Sequence, residues 1–184
     1  YQLHGGTIND PLDETIDAFE TLVRQGKIRY YGISSIRPNV ISEYVQRSHI
    51  VSVMMQYSLL DRRPEETCFP LLLDNNIGVL ARGSLATGLL VNKPAVPYLN
   101  YTAGEVAAAA AAVHRNTTAG RDAAQTALRF VLQQPAVSSA VVGMRTLAQL
   151  TDALKAVHAP ALLPAETESL QQSVPANRYE AHRV

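Results

Sequence analysis

Ile50-Val51-Ser52-Val53-Met54-Met55 is a nearly continuous apolar run, the pattern of a β-strand buried on both faces in a parallel sheet covered by helices. Its neighbours agree. Upstream, Pro38 lies in the first turn of a segment with Val40, Ile41, Tyr44 and Val45 at helical spacing. Downstream, Pro64 starts a third helix that fades near Asn75-Asn76, and Ile77 to Ala81 is the next buried strand. Strand, helix and strand therefore alternate around this run.

The same rhythm extends to both ends. Tyr1-Gln2-Leu3-His4 is a strand stopped at once by Gly5-Gly6. Asp10 is the expected N-cap of a helix with Pro11 in its first turn, Leu12, Ile16, Phe19, Leu22 and Val23 as its apolar stripe, and Gly26 as its C-cap. Lys27 to Tyr31 leads into a strand ending at Ile33-Ser34. From Arg82 to Gly120 the rhythm breaks into a long connection containing the helix-prone Glu105 to His114, and connections of that length often cover a site. Asp122 then caps a helix ended by Pro135, Ser138 to Val142 is the last strand, and Thr146 with Gln149 forms a capping box. A closing helix spans Ala165 to about Ser173, and a polar tail follows.

Five strands are thus expected near residues 1–4, 30–34, 50–55, 77–81 and 138–142. Strands alternating with helices predict an α/β fold with a parallel sheet. Two closures compete. An open doubly wound sheet lacks support, because no G-x-G-x-x-G follows any strand. A (β/α)8 TIM barrel usually needs about 250 residues, and five units beginning mid-strand fit its last five-eighths. In a barrel, His4 sits at the C-terminal end of a strand, where barrel enzymes place their chemistry.

Composition excludes several classes. A chain of 184 residues, 47% apolar, is expected to fold as one domain spanning residues 1–184. Net charge is +0 and basic residues form no stripe, which argues against nucleic acid as a partner. No apolar run approaches the roughly 20 residues that cross a bilayer. Cys68 is the only cysteine, so neither a disulfide framework nor a thiolate metal site is expected. The expected location is the cytoplasm.

Several stretches then carry a resemblance. Gln2-Leu3-His4, Gly26 to Ser35 (GKIRYYGISS), Gln56 to Arg62 (QYSLLDR), Leu85 to Leu90 (LATGLL) and Ala127-Leu128-Arg129-Phe130 together resemble the aldo-keto reductases over essentially the whole chain. The resemblance implies a (β/α)8 barrel, of which this chain supplies strands four to eight and a C-terminal helix. It also implies reduction of aldehydes or ketones with a nicotinamide cofactor, usually NADPH, and no metal.

By the same resemblance, His4 is the histidine that orients the substrate carbonyl and donates a hydrogen bond to its oxygen, where charge develops. Ser34, Ser35 and Gln56 match the residues that hold the nicotinamide carboxamide, with Ser35 in place of the usual asparagine. Paired serines after a strand also serve as helix caps. A glutamine ending an apolar strand is otherwise an expensive buried amide. Arg82 stands where the family often has an aromatic ring stacked on the nicotinamide; a guanidinium can stack or form an internal ion pair. Gly83, Ser84, Leu85 and Gly88 match the loop over the pyrophosphate. Gly143, Met144 and Arg145 lead to a helix N-terminus suited to phosphate, with Arg145 near the ribose 2′-phosphate. Gln149 and Asp152 match positions facing the adenosine, although the capping box already accounts for Gln149. Ala153 replaces the family's asparagine and removes one adenine contact.

The family's proton-donating tyrosine, with its lysine and aspartate, precedes the matched region, and none of the three maps onto this sequence. The expected reading is the C-terminal part of an NADP-dependent aldo-keto reductase acting on a small carbonyl substrate. The alternative is a catalytically incomplete fragment that binds nucleotide or self-associates through open sheet edges.

Overall fold

The computed structural model describes residues 1–183. Its five strands are β1 (Gln2–His4), β2 (Gly32–Ser34), β3 (Ser52–Gln56), β4 (Gly78–Arg82) and β5 (Val137–Val141), in one sheet whose spatial order equals chain order. Every neighbouring pair is parallel. The helices are α1 (Leu12–Arg24), α2 (Pro38–Arg47), α3 (Cys68–Asp74), α4 (Ala103–Arg115), α5 (Ala123–Leu132), α6 (Leu147–His158) and α7 (Pro164–Gln172). The expected α/β alternation is present.

Register explains which residues face where. Leu3, Ile33, Val53 and Val79 are paired across the strands, as are Met55 and Ala81; all but Leu3 are fully buried. The intervening set Ser52, Met54 and Gln56 is only half-buried. The Ile50–Met55 run is therefore not covered on both faces: helices pack on one, and the other is concave and more polar. There Gln2 Nε2 donates to Ser52 Oγ at 2.7 Å across β2. A Cβ on Gly32 would lie 2.3 Å from the Ser52 carbonyl oxygen and 2.7 Å from Gln2 Nε2, so glycine is required there.

Several local expectations are corrected. Asp10 does not cap α1; its carboxylate accepts from the Thr7 amide at 2.7 Å and closes the preceding turn, while Pro11 takes the cap position without a side-chain bond. The segment after Pro64 is a short 3-10 turn, Arg63–Glu65, and α3 starts only at Cys68. Arg62 and Arg63 fold back onto Glu65 and Asp61, which favours a tight turn over a continuous helix. Tyr30 and Tyr31 precede β2; the Tyr31 ring stacks on Phe19 at 5.1 Å, and its hydroxyl donates to Glu20. The alanines of α4 do more than favour helix, since Ala109 and Ala112 are fully buried. The cap at Asp122 and the capping box at Thr146 form as expected; the Asp122 cap is completed by Gln125 into a box, and a further box at Thr102–Glu105 starts α4.

Two polar networks hold the C-terminal half. Arg121 is 2% exposed and donates to the carbonyl oxygens of Asn116, Pro160 and Ala161, to Thr126 and to Glu166. This ties the loop before α5 to the start of α7. The polar tail is also anchored. Asn177 accepts from the Arg62 amide at 2.8 Å, the buried Tyr179 ring lies under Arg63, and the Tyr179 amide and Arg183 both donate to Glu66. Glu65 and Glu66 are thus half-buried anchors.

Two stability predictions follow from these networks. Arg121→Ala strands Glu166 and several buried carbonyls, and is expected to cost about 3–5 kcal/mol. Arg115→Ala, on an exposed helix end, should stay within about 0.5 kcal/mol; urea denaturation compares the two. The Arg183 guanidinium holds the Glu66 carboxyl below the usual carboxylate range. A depressed folded value means that the Glu66 contribution to tail anchoring is complete above the ordinary carboxylate value of 4.5 and is lost as pH falls below it. Glu66→Gln should release the tail at neutral pH, read as faster tryptic cleavage after Arg178; an unchanged rate would refute the anchoring role.

Candidate active site

Parallel register brings the polar ends of the strands together. His4 pairs with Ser34 and Ser34 with Met54. One layer further toward the C-terminal ends, Gln56 pairs with Arg82 and Arg82 with Val141. Positions two apart on a strand share a face, so His4, Ser34, Gln56 and Arg82 all lie on the concave side.

Two adjoining clefts open at this end. The first, of about 440 Å³, is lined by His4, Ser34, Ser35 and Arg82, with Gly5, Thr7 and Arg37 among its other walls. The second, of about 680 Å³, is lined by Gly83, Ser84, Leu85, Gly88, Gly143, Met144, Arg145 and Gln149. Gln56 stands at the junction: Arg82 donates to its Oε1 at 3.1 Å, and its Nε2 donates to the Tyr98 hydroxyl at 3.0 Å. Arg82 therefore forms an internal hydrogen bond to an amide rather than an ion pair.

Three expected residues sit differently from the rest. Ser35 is 5% exposed, and its Oγ accepts from the Arg37 amide at 3.1 Å, so the hydroxyl serves the turn into α2. Gln149 Oε1 accepts from the amides of Arg145 and Thr146, which uses its carboxamide in the capping box. Asp152 lines neither cleft; it pairs with Lys155 at 2.9 Å on the exposed face of α6.

The loop between the clefts has the features of a ligand cradle. Gly83 and Gly88 have φ of +72° and +96°, and a Cβ on Gly83 would come within 3.2 Å of Gln56 Cγ. Ala86 and Thr87 are left-handed too, with φ of 46° and 57°. Two non-glycine residues held in that region store roughly 1–3 kcal/mol each, and such strain concentrates at ligand clamps. The buried Ser84 Oγ has no hydrogen-bond partner among the described residues. These observations fit a group with anionic oxygens lying along the loop.

Tyr98 and Lys93 were not foreseen. Tyr98 fixes the Gln56 amide, and its hydroxyl pKa is raised by burial and then by the Asp61 carboxylate. Lys93 lines the second cleft and lays its stem against Gly88. The only signal was their place in the long connection. The other histidines, His49, His114, His158 and His182, are exposed. No group of three or more potential metal ligands occurs among the described residues. No helix among them is long and apolar enough to cross a membrane.

The uncharacterized oxidoreductase YqkF of Bacillus subtilis (strain 168) is 47% identical over 192 aligned residues, covering 100% of this chain and 62% of the relative. The L-galactose dehydrogenase of Arabidopsis thaliana is 27% identical over 188 residues, covering 94% of this chain and 55% of that protein. Among solved structures, the holo form of aldo-keto reductase AKR11C1 from Bacillus halodurans superposes with a TM-score of 0.90 at 46% identity, covering 100% of this chain and 61% of that one. The chain thus spans about three-fifths of the length of these relatives. The Aldo/keto reductase family profile matches residues 1–174, and the chain belongs to the aldo/keto reductase family.

Proposed function

We propose that this chain forms strands four to eight of a (β/α)8 barrel and carries the cofactor cradle of an NADP(H)-dependent reductase of aldehydes or ketones. The observation that carries this reading is the convergence of His4, Ser34, Gln56 and Arg82 on one concave end beside the strained Gly83–Gly88 loop. Bound NADPH would supply a hydride to the carbonyl carbon.

The chain's own residues supply binding and orientation. His4 donates a ring N–H toward the carbonyl oxygen and stabilises the negative charge that develops there. Gln56, fixed by Tyr98 and Arg82, together with Ser34 presents polar groups for the nicotinamide carboxamide. Arg82 holds its planar guanidinium beside them for stacking. Ser84, the strained loop and the lead into α6 line the path for the pyrophosphate, and Arg145 offers a charge-assisted contact to the 2′-phosphate. Protonation of the alkoxide-like oxygen requires a donor with a tuned pKa, which the family's tyrosine provides from a region outside the matched sequence.

The chain contains no tryptophan, so enhancement of nicotinamide fluorescence reads cofactor binding without overlap. NADPH should bind more tightly than NADH, and Arg145→Ala should weaken NADPH about tenfold while sparing NADH, as expected for one charge-assisted hydrogen bond. No binding of either nucleotide would sink the cradle assignment. The 184 residues alone are expected to bind cofactor without turnover, and NADPH-dependent carbonyl reduction by the sequence-verified chain would overturn that part.

A second reading rests on α6, where Leu147, Leu154 and Val157 are 78%, 58% and 58% exposed beside the unpaired edge of β5. A second copy of the chain would cover this face. Static light scattering should then give a dimer that Leu154→Glu returns to monomer; a monomeric parent chain rejects this reading.

A further inference from the structure

Arg37 occupies a position that the cofactor cradle does not use. It lies between the end of β2 and the start of α2, and it lines both the His4 cleft and a third cleft of about 430 Å³ under the C-terminal tail. Its side chain is partly buried. One guanidinium nitrogen donates to the Gly6 carbonyl oxygen, and no carboxylate pairs with it among the described residues.

Among the described residues, the charges lining the two clefts leave this cation uncompensated. The His4 cleft contains Arg37 and Arg82 and no acidic residue. In the tail cleft, Arg63 is already bound through two nitrogens to the buried Asp61, at 2.7 Å each. Arg178 lies 3.9 Å from Glu66, whose same oxygen is taken by Arg183. Among the described residues, Glu180 is the single carboxylate lining that cleft, and it is exposed. The N-terminus of α2, directly after Arg37, adds positive potential. A partly buried guanidinium without a counter-ion is costly unless an anion reaches it, and its planar fork matches a carboxylate or phosphate.

We infer that Arg37, assisted by Arg178, is a specificity residue that selects carbonyl substrates bearing an anionic group. The carbonyl would sit at His4 and the anionic end would extend toward the tail cleft. This rests on the proposed carbonyl site, and the shared chemistry is a carboxylate or a phosphate ester.

Binding separates this inference from the cofactor assignment. The 184-residue chain is titrated by NMR with levulinate against 2-pentanone, and with dihydroxyacetone phosphate against dihydroxyacetone. At least one anionic ketone should bind tenfold or more tightly than its neutral partner, and the arm that shows the preference identifies the anion. Arg37→Gln should abolish the preference, Arg37→Lys should retain part of it, and Arg115→Gln, on an exposed distant helix end, should leave it intact. Circular dichroism checks the fold of each variant. Absence of a preference in the parent chain, or its survival in folded Arg37→Gln, overturns the inference. NADPH binding, read separately by nicotinamide fluorescence, should be unchanged by Arg37→Gln, so failure of the cradle is seen independently.

Discussion

In-register pairing of the parallel strands is the constraint on which the site depends. The backbone ladder aligns His4 with Ser34 and Gln56 with Arg82, and the two-residue side-chain period sends all four to the same face. None of these residues touches another through local sequence. A slip of one residue in β3 would turn Gln56 toward the helices and bring Met55, fully buried among them, onto the polar face. Burial of Val53, Met55, Val79 and Ala81 therefore protects the chemistry, because a one-residue slip would turn those side chains out of the core.

The loops depend on buried polar anchors rather than on more apolar area. Arg121 organises the turn before α5 by satisfying three backbone carbonyls at once. Asp61, fully buried, receives both arms of Arg63, and Arg63 in turn lies over Tyr179 of the tail. Tyr57, at the end of β3, donates to Glu65, which binds Arg62, whose amide is held by Asn177. The end of the sheet and the end of the chain are thus joined through one connected network. Such networks fix a conformation because a half-satisfied arrangement is worse than none.

Much of the local structure was readable. The capping pairs Asp122–Gln125 and Thr146–Gln149 form because a short polar side chain three residues before a glutamine satisfies helix N–H groups locally. The cap at Asp10 and the helix start at Pro64 were misread, since the Thr7 amide takes the Asp10 carboxylate and Asp61 draws back Arg63, through a turn and an ion pair that helical periodicity does not register. Gln149 and Ser35 line the two clefts, and each also makes a bond within its own turn.

By itself the sequence determined the alternation of strands and helices, the placement of His4 at a strand end and the family resemblance, because each rests on spacing along the chain. Tertiary structure decided the rest. It set Tyr98 against Gln56 across 42 positions of sequence, placed the strained loop between two clefts, folded the polar tail over Arg63, and left Arg37 without a counter-ion among the described residues. These are long-range contacts, and their partners are chosen by how buried charges and amides are satisfied in three dimensions, which no local pattern encodes.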